Sequence, residues 1–126
     1  MSGPGAFVLA LTAAGALGVA PSAPRTPDQR QALADLAYVL GEAHALRRLC
    51  LGPTDAVWYD RMQRLLIIEA PEPSFRAKLA SGFNAGFLAA QAEHSACSDA
   101  SRAAERAAAE RGRALSNSLA GADLRP

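Results

Sequence analysis

Lysine is almost missing from this chain: Lys78 stands alone among 13 basic residues, the rest being arginine. Together with abundant alanine, that bias reads as the footprint of a GC-rich bacterial genome and says nothing of function. Charge of one sign is also lacking. The 13 basic residues face 12 acidic ones for a net charge of +1, a balance that argues against a general polyanion binder and against nucleic acid as partner. β-Branched residues are few and scattered, and no stretch alternates apolar with polar over strand length, which excludes a sheet protein. There is no glycine-rich phosphate loop and no metal triad, so no catalytic residue and no cofactor is expected. The 126 residues leave room for one domain only.

Charge is absent altogether from the first 22 residues. Ala6 to Ala20 is an uncharged apolar run of signal-peptide length, short for a membrane-spanning helix. Ala20 and Ser22 place small residues three and one positions before a cut at Ala23. The expected organisation is a signal peptide over 1–22 and a single helical domain over 23–126, its core spanning about 27–120. No stable membrane span should remain after cleavage, and the location is periplasmic or secreted.

Alanine and leucine favour helix, and the expected fold is all-α, a small bundle of three to four helices pinned by one disulfide. Thr26-Pro27-Asp28-Gln29 is a helix start, with a threonine cap, proline at the first position and Gln three residues on. The first helix is predicted from Pro27 to about Cys50, with Leu33, Leu36, Leu40, Ala43 and Leu46 on one buried face. Gly52-Pro53 forces a turn, and Thr54 or Asp55 can cap a second helix, the most apolar, which Pro71 and Pro73 end. A third begins at Ser74, where Phe75, Leu79, Phe83, Phe87, Ala90, His94 and Cys97 form a stripe; Gly82 and Gly86 within it allow another backbone to approach closely. Ser98 to Ala120 reads as helix, separate or continuous with the third, with Ala100, Ala104, Ala107, Leu115 and Leu119 as its stripe, Arg102 and Glu105 on its wet side, and Gly121 as its stop.

In an exported protein the only two cysteines, Cys50 and Cys97, read as a structural bridge. It would close a loop of 48 residues counted inclusively, which the chain-entropy picture credits with roughly 4 kcal/mol. The spacing is unlike the Cys-x-x-Cys of a thiol oxidoreductase. A metal-binding alternative rests on His94 and Cys97, which share a face, and would need reduced thiols.

Two further constellations are candidates. Glu42, His44 and Arg47 offer an acid, an imidazole and a guanidinium on nearby turns, enough for an enzyme or small-ligand binder, with Glu69 or Asp55 able to approach. The structural reading of the same residues is a half-buried His44 with a hydrogen-bond partner and arginines near a helix C-terminus. Asp55 and Trp58, the latter the sole tryptophan, could anchor a partner or pack over the bridge.

Leu36 through Cys50, Gly52-Pro53 followed by Asp55 and Trp58, Glu69-Ala70-Pro71, Phe83-Asn84-Ala85-Gly86-Phe87 and Arg111-Gly112-Arg113 together resemble a small, predicted-secreted alphaproteobacterial family of unknown function. The resemblance spans about residues 30 to 120; it implies a periplasmic location and a disulfide, and no catalytic residues. The reading that follows is a noncatalytic periplasmic interaction or accessory module with an envelope protein as partner, using a helix face near Trp58 or the Ala-rich last helix.

Overall fold

The computed structural model describes residues 24–123; the expected signal peptide and its cut before Ala23 lie outside them. The chain is all-α, four packed helices in the order α1 (Pro27–Leu51), α2 (Val57–Glu69), α3 (Pro73–Glu93) and α4 (Asp99–Asp123), with a Cys50–Cys97 disulfide.

α1 begins as its sequence dictates. The Thr26 hydroxyl accepts from the Gln29 backbone N–H at 3.2 Å, and the Gln29 side chain accepts from the Thr26 N–H at 3.0 Å, a full capping box with Pro27 behind it. Gly52, at φ 101°, ends the helix and takes a conformation that side-chain-bearing residues avoid. α1 does not bury one face, however; it is the central helix. Ala43, His44, Ala45 and Leu46 are all buried in succession, which requires neighbours on every side. α3 and α4 lie along α1, and the shorter α2 packs on it as well. The main core joins Leu33, Leu36, Ala37 and Leu40 of α1 to Met62 and Leu66 of α2, Phe75, Leu79 and Phe83 of α3, and Leu119 of α4.

The α1–α3 crossing is made by glycine. A Cβ on Gly41 would collide with the Phe83 carbonyl oxygen, and a Cβ on Gly86 with the Tyr38 carbonyl oxygen. Each helix thus offers a glycine to the other's backbone. Gly82 takes no part in this approach: a Cβ there would sit 3.7 Å from the Ala34 carbonyl, an ordinary contact.

Several boundaries depart from expectation. α2 starts at Val57 with Ala56, which has no polar side chain, at the cap position, and the expected cap Asp55 accepts instead from Arg47. α3 starts at Pro73 and stops at Glu93, so Cys97 falls in the link to a separate α4. There the Ser101 backbone N–H donates to the Ser98 hydroxyl at 3.0 Å and the Ser98 N–H donates to the Ser101 hydroxyl at 2.8 Å, a reciprocal cap that starts α4 anew. The buried register of α4 is Ser101, Ala108, Gly112 and Leu119, while Ala100 and Ala107 are exposed. Gly121 is inside α4, whose helical bonds carry past it to Asp123.

The glycine crossing generates a paired prediction. Gly86→Ala should lower stability by roughly 3 kcal/mol, since backbone must move to admit the methyl, whereas Gly82→Ala should leave it equal or raise it by up to about 1 kcal/mol through helix propensity. Urea unfolding of the oxidised protein measures both; equal losses would show that the two glycines are not distinguished by the crossing.

Candidate functional site

The residues singled out on α1 do not converge. Glu42 and His44 are two positions apart, a turn of about 200° around a helix, so they leave on opposite sides. The Glu42 carboxylate reaches across to α4, where the Arg111 guanidinium donates to it at 3.0 Å. His44 points into an aromatic pocket, with ring centroids of Phe87 at 5.4 Å, Phe83 at 5.7 Å and Tyr59 at 5.9 Å. It is buried rather than half-buried, and its Nδ1 has no hydrogen-bond partner among the described residues, contrary to the satisfied histidine anticipated. Burial above all, and then the nearby Arg48 charge, push the imidazole pKa below 6.5 despite an opposing pull from Asp55. His44 is therefore a neutral filler of the α1–α2–α3 junction.

Arg47, Asp55 and Trp58 are brought together, with a fourth member that the sequence reading had assigned to the wet side of α4. The Arg47 Nε–H donates to both Asp55 carboxylate oxygens at 3.0 Å, which ties the end of α1 to the turn before α2. The Arg47 guanidinium also lies 3.9 Å from the Glu105 carboxylate, and the Trp58 indole N–H donates to that same carboxylate at 3.2 Å. Arg61 stacks over the Trp58 ring at 4.5 Å. Glu105 comes from α4, and only the folded register of that helix brings it inward. In this network Arg47 meets both Asp55 and Glu105, and Trp58 joins Glu105 to Arg61.

His94 caps α3 in extended conformation, and Cys97 is bonded to Cys50, whose Cα is 4.9 Å away. Neither sulfur is free to bind a metal while the bridge is intact, and among the described residues no group of three or more His, Cys, Asp or Glu is placed to hold one.

α2 presents the remaining candidate surface. Only Met62 and Leu66 of its thirteen residues are buried. Ile67 and Ile68 are 73% and 77% exposed, although α2 is bracketed by α1 and α3 on its inner side. Between α2 and α4 runs an open groove lined by Trp58, Arg61, Arg64 and Arg113 over an apolar floor. Arg113 belongs to the Arg111-Gly112-Arg113 motif, but nothing in the sequence places it beside Arg61 and Arg64 of α2.

A family model described as a protein of unknown function, DUF2385, matches residues 28–122. No curated protein and no solved structure matches the chain.

The environment of His44 sets a pH dependence. Its folded-state pKa lies below the unfolded value, so the unfolded chain binds more protons between the two; the stability contribution is complete above about pH 6.5 and declines as pH falls through that window. Chemical denaturation from pH 7.5 to 5 should show wild type losing stability relative to His44→Phe as pH falls, and parallel curves would remove His44 as the cause.

Proposed function

The chain belongs to the DUF2385 family, and we propose that it is a noncatalytic interaction module of the bacterial cell envelope that presents α2 to a protein partner. The observation that carries this reading is the outward row of α2. Val57, Arg64, Ile67 and Ile68 follow one another at helical spacing on the side turned from the core, and the two isoleucines are far more exposed than large aliphatic side chains usually are. An apolar pair beside an arginine is the composition of a docking face, where a partner excludes water from the isoleucines and meets the charge at the rim. The closed network of Arg47, Asp55, Trp58 and Glu105 supports the role indirectly, because it fixes the start of α2 against α1 and α4.

The bridge supports an extracytoplasmic compartment. Disulfides persist in oxidising surroundings, and Cys50–Cys97 with the uncharged leader is consistent with passage out of the cytoplasm. Among the described residues no helix is long and apolar enough to cross a membrane. Intact mass of the protein recovered from its native envelope fraction should begin at Ala23 and fall two hydrogens below the reduced mass. A species that begins at Met1 with free thiols would overturn the location.

The partner surface is tested by site-specific photo-cross-linking in living cells. A benzophenone side chain at Ile67 or Ile68 should yield one discrete heterologous adduct that the same group at Lys78, exposed on α3, does not yield. Identical adduct patterns from all three positions, or none from any, would sink the assignment of α2.

A further inference from the structure

The groove between α2 and α4 meets the isoleucine row at Ile68 but has a chemistry of its own. It encloses about 590 Å³, within the range of small-molecule sites. Leu36 and Leu40 of α1 form its floor, Leu65 and Gly112 its apolar walls, and Trp58 and Ile68 stand at either end along α2. That length of helix spans about 15 Å. Three guanidiniums line the groove, Arg61 and Arg64 from α2 and Arg113 from α4, and no carboxylate does.

This concentration is local, since the whole chain is nearly neutral. Several arginines elsewhere are matched, Arg30 with Glu72, Arg47 with Asp55 and Arg111 with Glu42, while other unmatched ones among the described residues, such as Arg76 and Arg106, do not line an apolar groove. Arg64 and Arg113 make no ion pair among the described residues, although Asp60 and Glu110 lie one helical turn from them. Arg61 is engaged with the Trp58 ring only. Two guanidiniums on facing walls above an apolar trough complement a molecule with an anionic head and a hydrocarbon body.

We propose that this groove binds a free single-chain amphiphile with one anionic head group, of the fatty-carboxylate type. The hydrocarbon lies on Leu36, Leu40 and Leu65, and Arg64 and Arg113 hold the head at the mouth. The groove shares Arg64 and Ile68 with the α2 docking row, but amphiphile binding requires no partner protein and is read on the isolated chain, so its failure is distinguishable from failure of the docking reading.

Trp58 lines the groove and is the sole tryptophan, so its fluorescence reports occupancy directly. The full-length oxidised protein is titrated with dodecanoate below its micelle concentration, with dodecanol as the uncharged isostere, and with phosphatidylglycerol vesicles. Dodecanoate should shift Trp58 emission saturably at one equivalent. Dodecanol should bind roughly tenfold or more weakly, and added salt should weaken dodecanoate alone. Arg64→Gln with Arg113→Gln should reduce dodecanoate binding to the dodecanol level while its helical circular dichroism and urea midpoint stay at wild-type values. Should that variant misfold, the comparison of dodecanoate with dodecanol on wild type decides. Equal affinity for the two amphiphiles, no saturable shift, or a response to vesicles without one to dodecanoate would each overturn the proposal.

Discussion

Two backbones touch at the centre of this protein, and the remaining architecture is arranged around that contact. Gly41 of α1 and Gly86 of α3 each give up a side chain so that the other helix's main chain can enter. Close approach lets Leu33, Ala37 and Leu40 interleave with Phe75, Leu79 and Phe83, and it brings Phe83 and Phe87 against His44. In so small a domain the core has few residues to spare. Most helix-to-helix contact therefore runs through α1, and the outer helices meet one another at few points, such as Tyr59 of α2 against Phe83 of α3.

Such an arrangement leaves seams. α4 meets α1 through small residues, Ala108 against Val39 and Ala43, and its buried face is narrow. α2 is short, and the groove beside it reaches down to Leu36 and Leu40 of α1, which are otherwise buried. Polar ties hold the seams in register: Glu42 to Arg111, Arg25 to Glu69, Arg47 to Asp55, and Trp58 to Glu105. Partly exposed pairs of this sort contribute modestly each. Their effect is to orient α2 and α4, and this sets the shape of the groove between them.

Much of this was legible before folding. The Thr26 capping box, the Gly52 turn, the Phe75-to-Ala90 stripe and the cysteine pairing all follow from local rules that a sequence obeys on its own. What escaped depends on neighbours. Ser98 and Ser101 cap one another with short side chains, without the Gln or Glu that marks such a start. Gly86 was recognised as a point of close approach, but its counterpart Gly41 was not, since no pattern within α1 names the helix that will cross it. His44 read as a candidate base because Glu42 and Arg47 lie within a turn of it in sequence; its neighbours in space are rings from two other helices. Glu105 read as solvent-facing because α4 is so rich in alanine that its buried register could be placed one residue off.

The Cys50–Cys97 bond also divides the chain topologically. It closes a covalent ring made of the Gly52–Pro53 turn, α2 and α3, and leaves α4 and nearly all of α1 outside as two arms. The helix at the centre of the packing is thus an arm of the ring, threaded back along it. Drawn apart from its two ends, the oxidised protein could release only the arms, and the 47-position span between the sulfurs would stay looped. Its end-to-end reach would be that of a much shorter polymer, with the α2–α3 stretch held as a closed loop between two strings.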